Sequence, residues 1–325
     1  MASMNMVQAI NSALVNEMDR EPTVIVMGED VGVNGGVFRV TEGLLERFGK
    51  DRVIDTPLSE EGVVGASVGM AMNGLSPVVE LQFMGFSILA LDQIICHVAR
   101  MRNRSRGRYN LPLVIRMPYG CGVKAPEHHS ESTETLYVHT PGLKVVVPST
   151  PREAKGLLIS SIRDPDPVIF LEPKRSYRLF KEEVEEEAFT IPIGEARVVK
   201  EGDDVTVVGW GAMVPFIEEA SRKTSEEGVS AEIIDLRTLS PMDDETVSKS
   251  VKKTGRAVIV HEAPRTCGVG AEVLSRINEK AFLSLEAPVE RVTGPDVTVP
   301  LPKAENYYYV NPNRIYKAIK RTVKF

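Results

Sequence analysis

The chain has 325 residues, of which 42% are hydrophobic and 26% charged, and its formal net charge is −6. This length and apolar content are sufficient for two domains with cores of their own. The acidic balance argues against nucleic acid as the main partner, because such affinity comes chiefly from clustered cations, and no apolar run reaches the ~20 residues of a membrane span.

The first elements alternate helix and strand. Residues 6 to 19 place Val7, Ile10, Leu14 and Met18 on one helical face, and a buried strand, TVIVMG, follows Pro22. The amino terminus has the features of neither a secretory signal nor a transit peptide, so we assign it to this first helix. A glycine-bearing loop, GEDVGVNGGVF, precedes a helix that ends at Gly49 and a second strand, RVID.

The stretch from Asp55 to Gln93 predicts a helix from Glu60 to Asn73, a strand PVVEL and the start of a further helix, FSILALDQIICHVARM. Ser59 is a predicted N-cap whose hydroxyl accepts an amide hydrogen bond, and the helix dipole favours Glu60 and Glu61 in the first turn. Taken alone, that structural role explains both glutamates. The glycines of this helix predict close approach of another backbone, for example across a subunit interface.

Two polar segments follow. Five alternating arginines in ARMRNRSRGRYN predict a solvated or subunit-contacting loop. After the strand LPLVIRMP, the long polar segment YGCGVKAPEHHSESTETLYVHT is of the kind that often carries function. Adjacent His128 and His129 invite a metal reading with Glu127 and Glu131, but neighbours in a loop rarely converge on one ion, and the helical i, i+4 spacing is absent.

The remaining elements predict an α/β protein of two domains, each a mainly parallel sheet between helices. LKVVVP, a helix beginning at Pro151 and PVIFLEP complete the first alternation. The acidic segment KEEVEEEAF lacks a helical apolar stripe, and we place the boundary there, which gives domains at 1–185 and 201–325 with a linker at 186–200. A second alternation of DVTVVGWG, SAEIIDLR, RAVIVHE and PVERVTG with helices fills the rest.

Three cysteines, Cys96, Cys121 and Cys267, lie far apart in the sequence. They match neither a disulfide framework nor the ligand spacing of a zinc site. We therefore expect free thiols in a reducing compartment and a cytoplasmic protein.

Segments along nearly the whole chain resemble one family, in order and at family-like spacing. They are GEDVGVNGGVFRVTEGLLERFG, RVIDTPLSEEGVVG, PVVELQFMGF, LDQI, HHSESTE, HTPGLKVVVPSTPREAKGLL, IIDLRTLSPMD and RVTGPDV. The family is the beta subunit of the thiamine-diphosphate-dependent decarboxylating component of 2-oxo acid dehydrogenase complexes. It is transketolase-like, and it includes the pyruvate and branched-chain enzymes.

The resemblance implies specific site residues. Glu60 matches the carboxyl group that hydrogen-bonds N1′ of the cofactor's aminopyrimidine, and Phe86 matches the aromatic residue that packs on that ring. Phe83 competes for the second role, although we assign it to the core, and Gln82 is a further candidate hydrogen-bond partner. His129 matches the active-site histidine that serves proton transfer as the acyl group moves to a lipoyl arm.

One departure from the family and one further match concern charge. The family commonly has HHSQS where this chain has HHSES, so Glu131 places a carboxylate beside the site. Family members also hold a monovalent cation, here potassium, largely through backbone oxygens, and the matching positions are Leu113, Ser161, Asp164 and Asp166. A proline-set turn after a helix explains the last three equally well.

The GDG motif that holds the magnesium of the diphosphate is absent. The resemblance therefore implies an alpha subunit that carries this motif, a two-alpha, two-beta heterotetramer with the cofactor at the interface, and a lipoylated dihydrolipoyl acyltransferase core as acceptor. The alternatives are a fragment of a transketolase or deoxyxylulose-phosphate synthase and a non-catalytic interaction module. Pyruvate and branched-chain acids both remain open as substrates, with a slight preference for the branched-chain type from HHSESTE and DLRTLSPMD.

Overall fold

The computed structural model describes residues 1–325, which form three sheets with helices on their faces. The strands are β1 (Ala2–Met4), β2 (Val24–Gly28), β3 (Val53–Asp55), β4 (Ser76–Glu80), β5 (Val114–Tyr119), β6 (Lys144–Val146), β7 (Val168–Pro173), β8 (Glu182–Val184), β9 (Arg197–Lys200), β10 (Val205–Gly209), β11 (Ala231–Asp235), β12 (Thr238–Ser240), β13 (Ala257–Pro264) and β14 (Glu290–Gly294).

The helices are α1 (Met6–Arg20), α2 (Leu44–Phe48), α3 (Glu60–Met72), α4 (Met101–Arg104), α5 (Thr135–Val138), α6 (Pro151–Arg163), α7 (Met213–Ser225), α8 (Asp244–Thr254), α9 (Val269–Ala281), α10 (Glu305–Tyr308) and α11 (Pro312–Lys324). Short 3-10 segments lie at Met84–Ala90, Glu127–His129, Lys174–Ser176 and Phe282–Ser284, and a π-helical segment lies at Gln93–Val98.

The first sheet has seven strands in the order β12-β6-β7-β5-β4-β2-β3. All its pairs are parallel except β12 with β6, which confirms the predicted α/β class. Gly28 lies opposite both Asp55 and Glu80, and Glu80 lies opposite Arg116. The carboxyl ends of these parallel strands therefore share one edge, where α/β proteins commonly bind ligands.

The second sheet has the order β14-β13-β10-β11-β9 and is parallel apart from its edge strand β9. That edge strand lies inside the segment predicted as a linker. β12 follows β11 in the chain yet pairs with β6 of the first sheet. β1 and β8 form a separate antiparallel pair. The domain division itself stays a prediction.

The largest apolar cluster contains side chains from both sheets. Tyr119 and Val147 belong to the first sheet and its flank, and Trp210 and Leu236 follow strands of the second, and all four are buried in this cluster. Burial of this kind removes apolar surface from water at roughly 25 cal/mol per Å². The hydrophobic effect therefore holds the two sheets against each other.

Two local predictions are wrong. Ser59 is the N-cap of α3, but its side chain makes no capping hydrogen bond. The predicted continuous helix FSILALDQIICHVARM is instead broken into the 3-10 segment, the π-helical segment and α4. The Ser87 hydroxyl bonds the Met84 carbonyl and the Tyr137 hydroxyl, and side-chain bonds of this kind compete with regular helical bonding.

No single helix is both long and apolar enough to cross a membrane. The segments Met84–Ala90 and Gln93–Arg104, taken together, have the length and composition of a membrane-spanning helix. They are bent by 67° at the break between them. The three cysteines are all free, as the sequence analysis predicted.

Candidate functional site

A small pocket opens at the carboxyl edge of the first sheet. Glu29 follows β2, Gln82 lies two residues beyond β4, and Glu60 is the first residue of α3, so three separate elements bring these side chains together. Glu80, the last residue of β4, also lines the pocket but is 5% exposed. Thr56, Pro57, Ser59, Val63 and Leu81 complete the lining. The pocket is therefore narrow and acidic.

The charges in this pocket repel one another. Burial, and then the neighbouring carboxylates of Asp30 and Glu60, raise the pKa of Glu29. Glu60 lies in the first turn of α3, where the helix dipole favours a negative charge. A carboxylate at a helix start beside an amide side chain can accept and orient a polar heterocycle, whereas a strongly anionic group would be repelled by these neighbours.

An aromatic cluster lies next to the pocket along the chain. The ring centroid of His129 lies 4.5 Å from that of Phe83 and 5.1 Å from that of Phe86, in edge-on arrangements. Phe83 is 9% exposed and Phe86 is half-buried, so Phe86 has the larger surface for a ligand. The Nδ1 atom of His129 is buried and has no hydrogen-bond partner within the chain.

The His129 loop lies directly on the 3-10 segment that carries Phe86. A Cβ atom at Gly85 would collide with the carbonyl oxygen of His128 and come within 2.7 Å of the Glu131 carboxylate. His128 itself points outward, with its Nδ1 atom 3.8 Å from the Glu131 carboxylate. The sequence analysis missed Gly85. The signal was the glycine between two phenylalanines in QFMGF.

A buried ion cluster supports the pocket from below, and the sequence analysis missed it as well. Arg116 in β5 pairs with Glu80 at 2.9 Å and with Glu172 of β7 at 2.7 Å, and Tyr177 also bonds Glu172. Burial opposes the charge of Arg116, but the two carboxylates outweigh it and hold the pKa of Arg116 above its ordinary value. Charged residues inside apolar strands, as in PVVEL, LPLVIR and PVIFLEP, were the available signal.

The four positions matched to a monovalent cation lie elsewhere, at the amino edge of the same sheet. The Asp164 carboxylate accepts hydrogen bonds from Lys144 Nζ at 2.7 and 2.6 Å, and Asp166 pairs with Arg102. The carbonyl of Leu113 accepts from Val168, and that of Ser161 accepts from Asp164. Lysine and arginine thus supply the positive charge at these positions. The chain has no group of three or more His, Cys, Asp or Glu residues that could hold a metal ion. Potassium stays a prediction.

Comparisons with known proteins find related sequences along nearly the whole chain. The family model "Transketolase, pyrimidine binding domain" matches residues 2–179, and "Transketolase, C-terminal domain" matches residues 194–315. The "Pyruvate dehydrogenase E1 component subunit beta" of Acholeplasma laidlawii is 52% identical over 324 residues, covering 100% of this chain and 99% of that protein. The protein of the same name from Bacillus subtilis (strain 168) is 50% identical over 325 residues, covering 100% of both.

Solved structures share the fold at lower sequence identity. A structure titled "Split gene transketolase, inactive beta4 tetramer" superposes with a TM-score of 0.82 at 21% identity and covers 99% of both chains. A transketolase mutant from Pichia stipitis gives a TM-score of 0.71 at 13% identity, covering 100% of this chain and 46% of the other. The architecture is therefore common to chains of quite different sequence.

Proposed function

The chain belongs to the transketolase-like family of 2-oxo acid dehydrogenase beta subunits, and from this we propose that it supplies half of a thiamine diphosphate site. Together with an alpha subunit it decarboxylates a 2-oxo acid and reductively acylates the lipoyl groups of a dihydrolipoyl acyltransferase core. The observation that carries this proposal is the Glu60 carboxylate, held in the first turn of α3 and facing the pocket beside Gln82.

The residues present fit the aminopyrimidine end of the cofactor. Glu60 would hold N1′ by a hydrogen bond, Phe86 would pack on the ring, and Gln82 would give a further polar contact. When bound, thiamine diphosphate supplies an ionisable thiazolium carbon that adds to the oxo carbon of the acid. His129, with a buried Nδ1 atom that no other group of this chain engages, would move a proton as the acyl group leaves.

The same residues do not fit the diphosphate. Glu29 and Glu60 line the pocket beside Glu80, whose charge is paired with Arg116, and the first two carboxylates in so small a space repel an anionic group. The sequence also lacks a GDG motif. These observations support an alpha subunit that holds magnesium and the diphosphate in a two-alpha, two-beta heterotetramer, and the relatives named above are beta subunits by title.

The proposed substrate is pyruvate, because the relatives at 50% to 52% identity are named pyruvate dehydrogenase subunits. Branched-chain 2-oxo acids are the alternative, favoured by the segments HHSESTE and DLRTLSPMD. A cytoplasmic location rests on the three free cysteines. Potassium at Leu113, Ser161, Asp164 and Asp166 rests on the resemblance alone.

The decisive experiment uses the chain co-expressed with the alpha subunit of the same source, in wild-type form and with E60Q or E61Q. Glu61 is the matched control, since it is exposed in the same helical turn. We expect E60Q to lower 2-oxo acid decarboxylation, followed with an artificial electron acceptor, by roughly 100-fold or more, in the range of a lost proton-transfer group. E61Q should stay within a few-fold of wild type. Cofactor affinity, measured by calorimetry, gives a readout that does not depend on turnover.

The result that contradicts the proposal is an E60Q assembly with wild-type turnover, or decarboxylation by this chain alone. The substrate panel contains pyruvate, 3-methyl-2-oxobutanoate and a ketose phosphate donor. The last tests a split transketolase, because one solved structure of that description covers 99% of this chain. Its 21% sequence identity, against 50% for the dehydrogenase subunits, leads us to expect no ketose transfer.

A further inference from the structure

A buried lysine fastens the loop that carries His129. Lys174 follows β7 and is 4% exposed. Its Nζ atom donates to the carbonyl of Gly120 at 2.6 Å and to the carbonyl of His129. The amide of Gly120 in turn donates to the carbonyl of Glu131 at 3.0 Å. These three bonds close a ring that pins the His129 loop against the end of β5.

The second sheet holds the same segment from the other side. The Glu262 carboxylate of β13 accepts from the amide of Cys121 at 3.1 Å, and Glu305 of α10 accepts from the amide of Gly122. Gly120 has φ of +90°, and a Cβ there would lie 2.6 Å from the Glu262 carboxylate. Three consecutive residues are therefore tied to groups from both halves of the chain, and only glycine fits the first position.

Lys174 also reaches His129 through an aromatic ring. Its Nζ atom lies 5.5 Å from the ring centroid of Phe83, and that ring contacts the imidazole of His129 edge-on. A cation over an aromatic face is attracted to it. The lysine thus contacts both the backbone of His129 and the ring that its imidazole packs on.

We propose that Lys174 is a positioning residue for His129, and that together with Glu262 of β13 and Glu305 of α10 it keeps the imidazole at the site. The inference rests on the proposed function, since it assumes that His129 serves the acyl transfer. Lys174 itself has no place in the pocket lining and is not expected to contact the cofactor.

The charge of Lys174 gives the proposal a pH signature. Burial lowers the pKa of Lys174 to about 8, against the opposing effect of the Glu262, Cys121 and Glu305 groups that face it from β13, the loop and α10. Arg175 beside it points instead towards the rings of Phe216 and Tyr309. Loss of the proton removes the charge from both hydrogen bonds and from the contact with Phe83, which loosens the loop.

The chain contains a matched control. Lys155 in α6 is 0% exposed, its Nζ atom donates to the carbonyls of Glu185 and Glu186 at 2.6 and 2.8 Å, and it lies 5.9 Å from the Phe189 ring. Burial lowers the pKa of this lysine as well. The chemistry is the same, but Lys155 holds the acidic segment after β8 instead of the His129 loop.

The test compares K174Q, K174R and K155Q in the assembly with the alpha subunit. Decarboxylation with an artificial acceptor and reductive acylation of a free lipoyl domain are measured separately, together with thiamine diphosphate affinity. We expect K174Q to lower kcat for lipoyl acylation at least ten-fold while KM for the 2-oxo acid and cofactor affinity change less than two-fold. K155Q should lose comparable stability and keep kcat. K174R should recover most of the activity and move the alkaline limb of kcat above pH 8.

Failure of the two proposals looks different. A wild-type assembly without decarboxylation overturns the proposed function and this inference with it. An active wild type in which K174Q and K155Q keep equal kcat values overturns the inference alone. If K174Q does not assemble, K174R decides, because an alkaline limb identical to that of wild type contradicts the role of the Lys174 charge.

Discussion

The two sheets have the same architecture but use their carboxyl edges in opposite ways. At the first edge, Glu60 and Gln82 line a pocket and are half-buried, as is His129 in the neighbouring aromatic cluster. At the second edge, Trp210 follows β10 and is 1% exposed. A Cβ at the next residue, Gly211, would collide with the Tyr119 hydroxyl of the first sheet. A carboxyl edge can form a site only where the rest of the fold leaves it uncovered.

The two histidines at these edges show the same contrast. His261 is 0% exposed and stacks on Trp210 with centroids 5.4 Å apart and ring planes 6° apart. Burial, followed by the charges of Arg291 and Arg265, lowers the pKa of His261 to about 3, so this ring is neutral. His129 instead faces a partly open site between two phenylalanines. Proximity to aromatic rings therefore does not separate these two histidines, whereas the exposed fraction of the side chain does.

The largest effect is expected at Arg116, which supports the open edge. R116M would leave Glu80 and Glu172 buried without their cation. Removing one partner from a buried ion cluster costs about 3–5 kcal/mol. We expect urea unfolding to show a loss of this size, against about 0–1 kcal/mol for R47M, whose surface pair with Asp19 is the control. Equal losses in the two variants would show that the cluster does not stabilise the open edge.

The closed edge of the second sheet should give the free energy of unfolding a pH dependence. Glu134 is 1% exposed, and burial, reinforced by the charge of Glu262, raises its pKa from 4.5 to about 7. The folded chain then binds more protons than the unfolded chain between these values, so its free energy of unfolding falls as the pH rises through that window. A rise of this size corresponds to at most roughly 3 kcal/mol.

The E134Q variant tests this, because an amide of the same shape cannot ionise. Urea unfolding is measured at about pH 5 and about pH 7.5 for both proteins. We expect the wild type to lose stability relative to E134Q between the two values, by up to the ~3 kcal/mol given above. If the two proteins show the same pH dependence, ionisation of Glu134 does not destabilise the folded chain. The closed edge would then be more hydrated than its burial indicates.

The smallest effect is expected at Phe86, the half-buried ring beside His129 at the open edge. Replacement by leucine keeps an apolar side chain and removes stacking worth about 0.5–1.5 kcal/mol. Thiamine diphosphate should therefore bind the assembled enzyme about two- to ten-fold more weakly in F86L. F83L, at the more buried ring, should lower the free energy of unfolding more than it lowers the affinity for the cofactor. If F83L shows the larger loss of affinity in calorimetry, the assignment of the two rings is reversed.

Much of the fold was predictable because its signals are local. The buried strands around Val24–Gly28 and Val168–Pro173 read as apolar runs, and helix α6 was marked by a proline at its start. Hydrophobic periodicity and terminal residues act over a few positions, and alternation of strands with helices then favours a parallel sheet. The pocket position of Glu60 agrees with its assignment, but that assignment came from resemblance, since the helix dipole alone explained both glutamates.

The tertiary structure decided what depended on distant residues. β12 joins the first sheet although it follows β11 of the second, and the helix predicted from Phe86 begins as a 3-10 segment in which Ser87 bonds Tyr137. The ammonium group of Lys174 donates a hydrogen bond to the carbonyl of His129, 45 residues earlier in the sequence. The order of residue types determined where helices and strands form, because those preferences are set by near neighbours. Which carboxyl edge is open, and which lysine bonds the loop that carries His129, depend on contacts between remote segments in the packed core.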